Sequence, residues 1–231
     1  MDNIAGELSL YLLDRLKEVD ESSRLIVGLC GIPRGIGKEN RDTNNSTKAI
    51  LIGLDGWHLT RSQLDLMPDP KLAHDRRGAH WTFDGEGYLS FVQSLRIPVS
   101  PDQSQVITAP TFDHARKDPD FGAITILPSH RIVLIEGLYP FLSLPPWNSA
   151  GLLLDERWVI DIPFEEASKR LVKRHVLTGV AGDMKEARWR AEENDMPNGK
   201  FVFENMLQPT RRIPSLDDPT FSITVSEQGS E

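Results

Sequence analysis

The chain has 231 residues, 39% hydrophobic and 26% charged, the make-up of one ordinary globular domain with a sizeable core rather than a disordered or membrane-embedded chain. Lys and Arg number 26 against 34 Asp and Glu, a formal charge of −8. A surface of that sign repels nucleic acid and anionic lipid and argues against either as a partner. The single cysteine, Cys30, excludes an internal disulfide and points to a reducing compartment, read here as the cytoplasm.

The N-terminal residues 1–7 are acidic and lack the basic region of a secretory signal. Ile4, Leu8, Tyr11, Leu12 and Leu16 instead recur at helical spacing, which predicts an amphipathic helix docked on the domain. Apolar runs at 25–30, 49–54 and 132–135, with a less regular one at 157–162, predict buried strands. Runs without polar alternation are those of a parallel sheet covered on both faces. Helical patterns occupy 86–95, 164–177, 183–193 and 201–207, whereas 97–105 is polar and turn-rich. With no internal repeat, the economical reading is one domain over residues 1–226 and a disordered tail at 227–231.

The first strand runs into Gly31-Ile32-Pro33-Arg34-Gly35-Ile36-Gly37-Lys38-Glu39. This is the place for a phosphate loop, in which Gly31, Gly35 and Gly37 would let backbone N–H groups close on phosphate and Lys38 would reach the terminal phosphates. Two departures from G-x-x-x-x-G-K-[ST] stand out: five residues separate Gly31 from Gly37, and Glu39 replaces the hydroxyl residue. A carboxylate about 5 Å from a phosphate charge is repelled by roughly 3 kcal/mol at an effective dielectric near 20. Residues 39–48 contain no large apolar side chain, so they predict that the first crossover helix, which should cover one face of the sheet, is missing.

The other strand ends carry Asp55-Gly56 and Glu136-Gly137, placed where open α/β sheets bind ligands. Each pair read alone is a strand-ending turn. The six histidines show no zinc-ligand spacing. His58, His80 and His175 read as structural, Cys30 as a core residue, and the tryptophans as packing.

Longer patterns add to this. Asp55-Gly56-Trp57-His58-Leu59-Thr60-Arg61, Met67-Pro68-Asp69-Pro70, Arg76-Arg77-Gly78-Ala79-His80-Trp81-Thr82-Phe83-Asp84, Pro110-Thr111-Phe112-Asp113-His114, Ile135-Glu136-Gly137 and Glu193-Asn194-Asp195-Met196-Pro197-Asn198-Gly199 resemble the uridine kinase, phosphoribulokinase and pantothenate kinase group. The resemblance is strongest to its fungal uridine-kinase-like P-loop proteins and covers residues 25–219, apart from 34–48. It implies a three-layer P-loop NTPase fold, mostly parallel with a helical lid. It also implies ATP with Mg²⁺ and a small acceptor whose hydroxyl takes the γ-phosphate, nucleoside-like or vitamin-like. On this resemblance Asp55 is the catalytic base and a Mg²⁺ ligand, and Glu136 organises metal-bound water. Lys38 contacts the phosphates, Arg170 and Arg174 are lid arginines, and Asp84, His114 and Arg77 lie on the substrate side. The altered loop keeps a second reading open, a catalytically impaired kinase-fold binding protein.

Overall fold

The computed structural model describes residues 2–31, 48–99 and 106–215. Gly35, Gly37, Lys38, Glu39, the segment expected to lack the crossover helix, and the tail at 227–231 lie outside them. In chain order the described elements are α1 (Asp2–Glu18), β1 (Leu25–Cys30), β2 (Ala49–Gly53), α2 (Arg61–Asp65), α3 (Pro70–Asp75) and α4 (Gly85–Leu95). They continue with β3 (Ile107–Asp113), β4 (Asp118–Ile126), β5 (Ile132–Gly137), α5 (Trp147–Leu152), β6 (Glu156–Asp161), α6 (Phe164–Leu177), α7 (Met184–Arg190), α8 (Met196–Glu204) and β7 (Arg211–Pro214). Short 3₁₀ turns at Leu54–Trp57 and His80–Thr82 and a π-helical turn at Ala191–Asp195 join them.

Among the described residues five strands form one sheet in the order β2–β5–β1–β6–β7, every neighbouring pair parallel. β5 lies between β1 and β2, so these two strands flank a common partner and are not neighbours. The chain leaves β1 toward the β2 edge and leaves β5 toward β6, on the far side of β1. Connections departing in opposite directions from adjacent strands open a crevice at the carboxyl edge of the sheet, the usual ligand position in open α/β folds.

The strand side chains alternate between two apolar layers. Ile26, Cys30, Ile52, Val133 and Ile135 pack on one face with Trp57, Tyr88, Phe91, Tyr139 and Trp147. Leu25, Val27, Leu29, Ile132 and Trp158 form the other, where Leu12 of α1 is buried and Ile4, Leu8, Tyr11 and Leu16 pack against them. The helical spacing of those five residues therefore marks the docking face of α1. Tyr11 also donates to Glu156 Oε1 at 2.6 Å, and the buried Glu156 accepts from Trp158 Nε1 and Thr210.

β2 is the edge strand, and among the described residues nothing covers its second face. Ile52 is fully buried, but Ala49, Leu51 and Gly53 are exposed, Leu51 by 43%. No described element covers this face, which is the one the crossover helix was expected to occupy. The two neighbours should therefore respond differently to substitution. Ile52→Ala is expected to cost about 2–5 kcal/mol through lost burial and a cavity, and Leu51→Lys less than about 0.5 kcal/mol, as read from urea unfolding midpoints. Comparable losses at both positions would show that the open face is covered.

The antiparallel ribbon β3–β4 crosses the carboxyl edge. Its register shifts between Ala109 and Thr111, at Pro110, a residue with no N–H to give a ladder. Among the described residues no helix is long and apolar enough to cross a membrane.

Candidate active site

β1, β5 and β2 end side by side. Cys30 pairs in register with Gly137 and Gly53 with Glu136, so Gly31, Glu136 and Asp55 all emerge at the crevice. Close packing explains the glycines in both acidic pairs. A Cβ at Gly137 would lie 2.3 Å from Leu54 Cβ, and one at Gly56 would lie 2.4 Å from the Pro110 carbonyl oxygen. Glycine is required there because the chain passes directly beneath its neighbours.

Asp55 is exposed in the 3₁₀ turn that follows β2, between buried Leu54 and Gly56. Glu136 is more enclosed. Burial and then the Asp55 charge push its carboxyl up to about 7, against the opposing pull of Arg174. The same three groups appear from the arginine's side. Burial draws the Arg174 guanidinium down, while Asp195, Asp55 and Glu136, in that order, oppose the shift. Asp55, Glu136 and Asp195 thus act on one cation of α6.

Arg170, one turn earlier on α6, is held differently. Its Nε donates to Glu166 Oε1 at 2.6 Å and its Nη1 to Ser215 Oγ at 3.1 Å. The π-helical turn brings Asp195 back to α6, where its Oδ2 is 2.8 Å from Nε2 of the buried His175. The turn also grips the segment around Gly78: Arg76 donates to the Glu193 carbonyl and Asn194 to the Arg77 carbonyl, while Tyr139, just after β5, donates to the Gly78 carbonyl.

The predicted substrate-side residues separate into different roles. Asp84 caps α4, its Oδ1 accepting from Gly87 N at 2.8 Å. It also lines a cavity of about 150 Å³ with Trp57, His58, Gln63, Pro110 and Phe121. Arg77 is a structural tie: it donates to the Leu59 and Lys117 carbonyls and to Asp118 Oδ1 at 2.9 Å, holding the β3–β4 ribbon to the loop after β2. His114 is exposed at the ribbon turn, 5.3 Å from the Phe112 ring. Cys30 is buried, with Sγ against the Leu138 carbonyl, and burial raises its thiol pKa; it is the inert core residue expected.

His58, read from the sequence as structural, bonds the Asp55 carbonyl, and Asp195, given no role there, acts on Arg174. A signal existed for His58, since 3₁₀ geometry stacks residues three apart, which returns His58 over Asp55. Asp195 had none beyond its place in the Glu193–Gly199 motif.

No family model matches the chain, but similar proteins are plain. The ATP-dependent kinase-like protein notR' of Aspergillus versicolor is 44% identical over 161 residues, 70% of this chain and 93% of that protein. A candidate uridine kinase of Schizosaccharomyces pombe is 33% identical over 217 residues, 89% of this chain and 90% of the other. The chain belongs to the uridine-kinase-like P-loop kinases. Among solved structures, a candidate fructose transport system kinase from a Silicibacter species superposes with a TM-score of 0.71 at 25% identity, over 90% of this chain and 98% of its own. YFH7 of Saccharomyces cerevisiae, described as a candidate P-loop kinase with a circular permutation, gives 0.63 at 29% identity, over 75% of this chain and 59% of its own. Family membership and fold are those of small-molecule kinases that use ATP.

Proposed function

We propose that this chain transfers the γ-phosphate of ATP to a hydroxyl of a small nucleoside-like or vitamin-like acceptor. The observation that carries the reading is the pairing of Asp55 and Glu136 on adjacent parallel strand ends beneath Arg174. Asp55, exposed at the crevice, accepts the acceptor's proton as the hydroxyl attacks. Arg174 balances charge on the transferring group, and Arg170 supports the same lid face. In phosphoryl transfer most of the catalysis is positioning and charge stabilisation, which suits a site built from fixed strand ends. Backbone amides from Gly31 through Gly37, with Lys38, would hold the triphosphate.

Mg²⁺ fits this donor set. Among the described residues no three His, Cys, Asp or Glu side chains gather into a metal centre. Mg²⁺ in kinases, however, is held by one or two carboxylates together with phosphates and water. Asp55 would hold it directly and Glu136 partly through water, and the raised Glu136 carboxyl is a group that a neighbouring cation would stabilise in its charged form. When bound, the ion neutralises phosphate charge.

Glu39 in place of the hydroxyl residue favours a second reading, a kinase fold that binds the acceptor without productive ATP. Calorimetric titration with Mg·ATP separates the two. The kinase reading expects one site per chain and acceptor-dependent ADP release. Folded protein that binds no Mg·ATP at millimolar concentration would leave only the impaired form.

A further inference from the structure

The amino edge of the sheet, at the far end of the strands from Asp55 and Glu136, is basic. Lys48 immediately precedes β2, Arg131 precedes β5 and Arg24 precedes β1, in the order in which those three strands lie in the sheet. Register sets the two arginines side by side. Leu25 pairs with Ile132, and Leu25 N donates to the Arg131 carbonyl at 2.8 Å. Like charges at adjacent strand positions repel, so this placement needs an offsetting charge.

Among the described residues no acid supplies it. Arg24 is 1% exposed, and its Nε and Nη2 have no hydrogen-bond partner. Its Nη1 makes only a long bond, 3.4 Å, to the Leu95 carbonyl. Burial first and the Arg131 charge second draw its pKa down. Arg131 uses Nε on the Ser23 carbonyl and Nη2 on the Asp20 carbonyl, both at 2.8 Å. Those acceptors are neutral. Two carboxylates stand nearby, each with other partners. Asp20 senses Arg131, but its Oδ1 accepts from Ser22 N and Oγ. Asp155 pairs with Arg96 Nη2 at 2.9 Å and accepts from Ile26 N at 2.7 Å. Buried His130 accepts from Leu127 N at Nδ1, so a neutral ring carries its N–H at Nε2. A guanidinium shut away from water and left unpaired is among the costliest groups a fold can bury.

We propose that this edge binds a small tetrahedral oxyanion of the inorganic phosphate class, held by Nε and Nη2 of Arg24 and by the Arg131 guanidinium, with Lys48 at the rim. The Nε and Nη2 hydrogens form one side of the guanidinium fork, the side that takes two oxygens of a phosphate. Six residues of β1 at about 3.3 Å each place the site about 20 Å from the crevice, and it stands independently of the kinase reading. The cover over Arg24 admits a free ion by local opening and excludes a phosphate carried on a polymer.

The test uses the full chain in chloride buffer at constant ionic strength, with Mg·ATP present and inorganic phosphate or sulfate as probe. Either probe at ten times its Kd should raise Tm by about 3–6 °C. Arg24→Met should match or exceed the wild-type Tm in chloride, because it removes an unpaired buried charge, and should lose the rise. Arg24→Lys keeps the charge without the fork, and Arg131→Gln removes the second cation; each should weaken phosphate at least about tenfold. Lys48→Ala, at an exposed position, should weaken it less than about fivefold. In the ¹⁵N-arginine-labelled chain, the Nε–H signal missing from the Arg24 variants should shift when phosphate is added. A rise shared by wild type and Arg24→Met is the general effect of excluded anions and overturns the proposal. So does the absence of any rise over chloride, or an Arg24 Nε–H signal that phosphate leaves in place.

Discussion

Asp55→Asn should lower acceptor-dependent ADP release by about 10²–10⁴-fold, the usual contribution of a positioned general base, while leaving the fold intact. Asn has the same shape, and Asp55 is exposed, so the stability change should stay within about 0.5 kcal/mol. A second readout does not depend on turnover. The Asp55 charge is one of two causes that raise the Glu136 carboxyl, so removing it should bring the Glu136 midpoint below about 7 in a carboxyl-labelled NMR titration. The two measurements test different links. Turnover within tenfold of the wild-type chain would show that another group takes the proton. An unmoved Glu136 midpoint would show that the two carboxylates do not share the crevice. The impaired-kinase reading keeps the second result and loses the first.

How much of this was legible beforehand depended on how completely each segment is buried. β1 and β5 are enclosed on both faces and read as unbroken apolar runs. α6 read correctly because Ala167, Leu171 and Val172 are buried at helical spacing; buried His175 completes that face, where a hydropathy pattern does not look for it. Asp55 and Glu136 stood out because each interrupts an apolar run at its end. The β3–β4 ribbon was missed. Pro110 breaks the pattern, and much of its outer surface, including Phe121 at 70% exposure, faces solvent. β7 is four residues long with only Ile213 buried, too short to show alternation. The roles of Arg77 and His58 depend on partners brought by the fold. The Asp118 that pairs with Arg77 is 41 residues distant, and the cavity draws on residues 57, 58, 63, 84, 110 and 121. Local patterns identify which groups carry charge; only the crossing of the ribbon over the sheet edge decides which are free to use it.

The same crevice predicts a conflict between stability and readiness to bind. Glu136 is raised from an ordinary value of 4.5 to about 7 in the folded chain, by burial first and Asp55 second. The native state therefore holds a proton that the unfolded chain releases between those values. Where the native state binds more protons, stability falls as pH rises. Each factor of ten in proton affinity between the folded and unfolded chain corresponds to about 1.4 kcal/mol. By pH 8 the ionised carboxylate should thus destabilise the ligand-free fold by about 3 kcal/mol relative to pH 4.5. Glu136→Gln, an analogue of the protonated acid, lacks that slope. It should match the wild-type chain near pH 4.5 and exceed it by about 3 kcal/mol at pH 8, a rise of roughly 6–12 °C in Tm for a domain of this size. A difference between the two proteins that stays flat from pH 4.5 to 8 would show that Glu136 is as well solvated folded as unfolded. If the difference appears, Mg·ATP should shrink it from the wild-type side, because a cation beside Glu136 stabilises the carboxylate and the glutamine has no charge to be stabilised. The carboxyl that costs the empty fold most above neutral pH is then the one the nucleotide complex uses.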